Sequence, residues 1–203
     1  MEYTKIAERD SVEKTIAALK NNGITALLAA NIEDAKIKAL SFIPEGSEVL
    51  TMTSVTIDSL GITEVINNSG KFDSVRNKLN SMDKATNGKE MQRIGAAPDY
   101  AIGSVHAVTE EGHIVIASNT GSQLAAHVYG SPHVVLVVGT QKIVKDFDTA
   151  LKRIYAHTLP LESERAKKAC GVDGSFVSKL LIINREVNPH RITVIFVPEV
   201  IGY

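Results

Sequence analysis

The sequence contains one cysteine, Cys170, and no tryptophan, and aromatic residues make up only 5% of its 203 positions. A lone cysteine cannot close an internal disulfide. Nor can it supply a zinc site built from several thiolates or a Cys-ligated iron–sulfur cluster. Set in AKKACG near the end of an expected helix, Cys170 reads as an inert structural thiol. Charge of one sign is also missing: 22 basic residues stand against 23 acidic ones, for a formal net charge of −1, with no dense Lys/Arg block. That balance excludes the electrostatic footprint of a nucleic-acid binder, so nucleic acid is not an expected partner. The longest strongly apolar run, HVVLVV at 133–138, is far short of the roughly 20 residues that cross a bilayer. The opening MEYTKIAERD is polar and acidic where a secretory signal would be basic and then apolar. No membrane partner is expected, and the expected location is the cytoplasm. The six histidines are scattered, with no HExxH or HxxxH pair, so no metal site is read from them.

What is present is ordinary globular composition, 44% hydrophobic and 22% charged, in a chain long enough to bury one sizeable core. One domain over 1–203 is the expectation. DSVEKTIAALKNNG carries Val12, Ile16 and Leu19 on one helical face, with Asp10 and Glu13 placed as a capping pair and Gly23 as the stop. ITALLAA follows as a buried strand, NIEDAKIKALSF as a helix started by Asn31, and EGSEVLTM as a turn and second buried strand. The alternation predicts right-handed βαβ units. From Lys71 to Gly95 the pattern is weak and partly helical. It recovers in DYAIGSVHAV, a tight TEEG turn, the strand HIVIAS, and NTGSQ opening a short helical run LAAHVYG. HVVLVVG is the clearest buried strand, of the kind found at the centre of a parallel sheet. DFDTALKRIYAHTL, capped by Asp146, and LESERAKKACG, ended by Gly171, predict helices. KLLIINRE and RITVIFV predict a closing strand pair joined through VNPH. The fold class expected is α/β: an open, mostly parallel sheet flanked by helices, with a C-terminal strand pair.

In open α/β sheets ligands bind beyond the carboxyl ends of the strands, so polar turns that follow buried strands are the candidates. Such turns are TSVT at 53–56, HAVTEEG at 106–112, SNTGSQ at 118–123 and GTQK at 139–142. Ser118, Asn119, Thr120, Gly121, Ser122 and Gln123 have the small, Gly-containing composition that lets backbone amides approach an anion at a helix start. The same composition serves as a plain N-cap, and Ser54 and Thr56 share that ambiguity. Glu110, beside Glu111 in a tight turn between apolar strands, suits a nucleophile or general base held at a cleft edge. A solvated turn carboxylate is the alternative. Lys142 follows the strongest strand and is placed to reach an anionic ligand, whereas Glu164 and Arg165 read as surface helix pairs.

Taken together, DYAIGSVHAVTEEGHIVIASNTGSQ, HVVLVVGTQKIVKD, LPLESERAKKACGV, NPHRITVIFVPEVIGY and TMTSVTIDSLGI run in order over nearly the whole chain. In them the sequence resembles the LUD-domain family, and in particular its short stand-alone members described as lactate utilization proteins. The resemblance implies a fold like that of the ribose-5-phosphate isomerase and CoA-transferase-like superfamily, where CoA transferases use a glutamate as acyl-accepting nucleophile. It places Glu110 where family members carry an acidic residue before the turn glycine, here Gly112. Three functions follow as expectations. One is a protein of organic-acid metabolism that binds a small anionic metabolite or an acyl- or phosphate-bearing ligand at Ser54, Thr56, 118–123 and Lys142. Another is a CoA-transferase-like or sugar-phosphate-isomerase-like enzyme using Glu110. The last is an accessory or regulatory subunit whose helix 161–169 docks on an iron–sulfur partner. Neither a cofactor nor a substrate is read from the sequence, and a homodimer is the default expectation for a metabolic protein.

Overall fold

A computed structural model describes residues 2–203, with the side chains of Glu2 and Cys170 outside the described set. The expectation of an inert Cys170 thiol therefore falls on a side chain outside the described residues.

Buried β-branched runs build a six-stranded sheet in the order β1 (Thr25–Leu28), β10 (Ile192–Val197), β7 (His133–Gly139), β4 (Tyr100–Gly103), β2 (Glu48–Thr51) and β3 (Asp73–Ser74). Every pairing in it is parallel. β7 is the strand expected at the centre, and its alternating side chains feed two cores. Val134, Leu136 and Val138 point to one, and Val135 and Val137 to the other. A second sheet, β8 (Ile143–Val144), β5 (Ala107–Thr109), β6 (Ile114–Ser118) and β9 (Lys179–Ile183), packs on the first of these faces. Among the described residues no helix is long and apolar enough to cross a membrane.

The helices follow their sequence signals closely. α1 (Arg9–Asn21) begins just before the expected capping pair, so Asp10 lies in its first turn, and Glu8 occupies the cap without a side-chain bond. In α2 (Ile32–Ser41) the Asn31 side chain accepts from the Asp34 amide, as the sequence predicts. α3 (Val55–Ser59) and α4 (Ile62–Asn68) join β2 to β3, and α5 (Val75–Asn80) and α6 (Lys84–Ala96) join β3 to β4. α7 (Phe147–Arg153) and α8 (Leu159–Cys170) were expected as separate helices, but a π-helical stretch over 154–158 fuses them into one run.

Two expectations are corrected. ITALLAA forms an edge strand rather than a buried one: β1 pairs only with β10, and Leu28 is exposed. The C-terminal strands both form but do not pair with each other. β9 runs antiparallel to β6 in the small sheet, whereas β10 lies parallel between β1 and β7. Hydrophobic content forecast the strands, but partner choice is set by tertiary packing, which local pattern does not encode.

Connections leave the main sheet on opposite faces. Residues of α2, α3 and α4 pack with Val49, Ile102 and Val137, while those of α1, α5 and α6 pack with Leu50, Ala101 and Leu136. The route out of β2 therefore takes one face and the route out of β4 takes the other. Their carboxyl ends part, which is the crevice where ligands of open α/β sheets bind.

At the other end of β7 and β10, Arg191 and Glu186 form a buried pair at 2.6 Å, and Arg191 also donates to the carbonyls of Ser131, His127 and Val128. Both side chains are 7% exposed, so removing one partner strands a buried charge. Glu186→Ala is expected to cost about 3–5 kcal/mol in urea denaturation; a loss under about 1 kcal/mol would show the pair to be dispensable.

Candidate functional site

A cavity of about 420 Å³ opens at the parted ends of β2 and β4. Ser54 and Thr56 reach it from the start of α3, and Ser104, Val105 and His106 from the segment after β4. Ser118, Asn119, Thr120, Ser122 and Gln123 enter from the turn after β6, and Lys142 from the 3-10 turn after β7. The residues singled out as ligand-binding in three separate turns thus line one space. Gly121, also expected there, holds the same turn at φ 86° but is not itself in the wall.

Glu110 is not brought to this cavity. Its carboxylate accepts from Ser11 (2.7 Å) and Lys14 (2.8 Å) on α1, and these bonds hold its pKa below the usual carboxylate range. The turn that carries it is fixed by Gly112 at φ 80°, where a Cβ would lie 2.6 Å from the backbone of Ala18 and Leu19. His113, from the same turn, stacks on Phe147.

The floor of the cavity is cationic. Lys142 is 2% exposed, and its Nζ donates to Thr56 Oγ1 (2.9 Å), Ser104 Oγ (3.1 Å) and the Val105 carbonyl (3.1 Å). Burial, with the charge of Arg153 added, brings its pKa down to about 7. Arg153 is fully buried behind the wall and donates to the His106 carbonyl (2.5 Å) and Thr158 Oγ1 (3.1 Å), while its Nε and Nη2 have no partner. Neither Lys142 nor Arg153 has a carboxylate within 4.0 Å among the described residues. His106 accepts the Ala117 amide at Nδ1 (3.0 Å). Burial takes its pKa to about 3, so it is a neutral imidazole whose proton sits on Nε2.

Glu162 and Arg165 line the far wall as a bidentate pair (2.7 and 2.6 Å), and Tyr203 donates to Glu162 at 2.6 Å. The sequence reads Glu164 and Arg165 as members of surface helix pairs rather than site residues. The π-helical stretch before α8 shifts the helical phase, which spacing along the sequence does not reveal. Sequence reasoning also passed over Ser104, Arg153 and Tyr203, although a lone hydroxyl directly after a strand was a usable signal for Ser104.

The SNTGSQ turn differs from the expected anion cradle. Ser118 Oγ accepts the Gly121 amide (2.9 Å) and Thr120 Oγ1 accepts the Ser122 amide (3.3 Å), so these backbone donors are already used. The helical run that follows is short and π-helical over Ala126–Gly130, which leaves hydroxyls and amide side chains, rather than a helix terminus, facing the cavity.

The C-terminal segment closes the site. Gln141 Nε2 donates to the Ile201 carbonyl (2.9 Å), and Gly202, at φ 61°, lies so close that a Cβ would sit 2.3 Å from Thr56 Oγ1. Gly202→Ala combines a left-handed backbone with overpacking and is expected to cost about 2–5 kcal/mol by chemical denaturation. Glu110→Gln, by contrast, loses an ion pair whose Lys14 end is exposed and keeps an oxygen that can accept from Ser11, and it is expected to change stability by no more than about 1 kcal/mol.

Comparison with known proteins agrees with this architecture. No curated protein sequence matches the chain. The fold is similar to the crystal structure of a DUF162 family protein from Deinococcus radiodurans, at TM-score 0.58 and 12% identity over 95% of this chain and 99% of that one. A much weaker likeness, TM-score 0.32 and 18% identity over 69% of this chain and 44% of the other, is to eIF2B beta from Chaetomium thermophilum. The family model described as LUD domain matches residues 12–197, and the chain therefore belongs to the LUD-domain family, which is associated with lactate utilization.

Proposed function

We propose that this chain binds a small anionic metabolite, bearing a carboxylate or a phosphate on a short acyl-sized skeleton, in the cavity between β2 and β4. The observation that carries the proposal is a pair of buried cations, Lys142 and Arg153, placed without a counter-ion beside a hydroxyl-lined space. Burying a charge costs free energy unless it is paired, and a ligand anion offsets that cost where the protein supplies no carboxylate. Glu162 does not fill this role, because Arg165 and Tyr203 already occupy it. A cavity of about 420 Å³ suits a metabolite, and Ser54, Ser118, Ser122 and Gln123 offer the few placed polar groups that fix orientation in such pockets. Membership of the LUD-domain family supports an organic acid as the ligand class.

The sign of the pH dependence follows from Lys142. A bound anion favours the charged form of the amine, so affinity rises as pH falls through about 7, and binding takes up a proton. A thermal-shift series against lactate, pyruvate, inorganic phosphate and short acyl phosphates tests this. A ligand at 100 times its Kd stabilises by about 2.7 kcal/mol, roughly 5–10 °C for a chain of this size. The shift is expected to be larger at pH 6 than at pH 8.5 and to vanish in Lys142→Met, while Glu110→Gln retains it. Flat melting curves for every anion at both pH values would reject the proposal.

A further inference from the structure

We propose that Ser104 is an acyl-accepting nucleophile and Lys142 its general base, so that the cavity hydrolyses or transfers an acyl group from an anionic ester or thioester. This rests on the cavity being a ligand site and adds a reaction to it.

Lys142 Nζ has three oxygen neighbours, which match the three donors of its charged form, and loss of one proton gives the amine that a general base requires. An uncharged –NH2 has a pair of N–H donors and a single lone pair. The Val105 carbonyl can only accept. Thr56 Oγ1 accepts from the amine at 2.9 Å and has the Ile201 carbonyl, at 3.5 Å, for its own proton. In the deprotonated amine those contacts take both N–H groups, so that the bond to Ser104, 3.1 Å away, reverses and the lone pair accepts the Ser104 Oγ proton. The Ser104 hydroxyl has no other partner among the described residues, whereas Thr56, also in the cavity lining, is 1% exposed and has the Ile201 carbonyl as a further partner. The reactive hydroxyl is therefore Ser104.

In the reaction, Ser104 Oγ forms a bond to the acyl carbon and its proton passes to Lys142. The bond from that carbon to the alcohol or thiol leaving group breaks, and the leaving group takes the proton from Lys142. Water, activated in the same way, then releases the acyl group as a carboxylic acid and restores Ser104. His106, two residues on, holds its proton on Nε2 and lines the same cavity, where it supplies a donor for the developing oxyanion. Arg153, buried behind the wall with no carboxylate within 4.0 Å among the described residues, favours an acyl donor that carries a negative charge. The charged and titratable groups around Lys142 include Arg153 and His157 on the fused helix, His106 on the segment after β4, Asp58 on α3, Glu162 and Arg165 on α8, and Tyr203 in the C-terminal segment. Of these, His106 is neutral through the working range.

The test is covalent labelling of the intact chain by a fluorophosphonate probe, read by peptide mass spectrometry. Ser104 Oγ displaces fluoride and retains the phosphonyl group. One adduct on Ser104 is expected, with a rate that rises as pH increases through about 7, opposite in sign to the anion-binding dependence. Lys142→Met is expected to slow labelling by 100-fold or more, and Ser104→Ala to abolish it. Absence of a Ser104 adduct on the wild-type protein between pH 6 and 9 overturns the proposal, and so does an equal rate in a folded Lys142→Met. Borohydride trapping of pyruvate on Lys142 would also overturn it by showing the amine to be the nucleophile. Loss of the thermal shift in wild type would instead count against ligand binding itself.

Discussion

A parallel sheet must send each crossover to one face or the other, and neighbouring strands that choose opposite faces cannot keep their carboxyl ends closed together. Here β2 feeds α3 on one face, while β4 feeds the small sheet on the other. The crevice follows from topology, and its contents follow from which residues lie just past each strand. Ser54 and Thr56 come after β2, Ser104 and His106 after β4, and Lys142 after β7. Burying the Lys142 amine is costly in this arrangement, as is burying Arg153 behind it. Thr56, Ser104 and the Val105 carbonyl offset part of the cost at Lys142, and the C-terminal segment keeps Thr56 in place by fitting Gly202 against it.

Much of this was legible in the sequence because strand-end turns are local features. TSVT, SNTGSQ and GTQK were each recognisable as polar turns after apolar runs, and parallel pairing brings their residues to one edge. Lys142 was legible as an anion-reaching residue, though not its burial, which depends on segments as distant as 53–56 and 201–203. Glu110 shows the limit from the other side. Its residue type and turn are those of a cleft carboxylate, yet α1 packs beside that turn and Ser11 and Lys14 occupy the carboxylate. Nothing within HAVTEEG specifies which helix will lie next to it.

Strand pairing was the other illegible element. KLLII and ITVIFV are both apolar and close in sequence, which reads as a hairpin. Each instead completes a different sheet, and between them Glu186 closes on Arg191 as a buried pair. Arg191 in turn holds the carbonyls of His127, Val128 and Ser131. The segment that separates the last strands thereby fixes the π-helical run that leads into β7, at the end of the sheet away from the cavity.

The π-helical stretch at 154–158 bears on how the chain can change over generations. An α-helix turns by about 100° per residue, and the extra residue in a π turn is the difference between Glu162 and Arg165 facing the cavity and facing away. Deleting one residue there would leave every side chain of the site in the sequence and the helix fully hydrogen-bonded, yet rotate the far wall out of reach. A family alignment that closes this one-residue gap would equate residues on opposite faces of the helix, so descent of the site is better traced from Arg153 and Glu162 than from the residues between them.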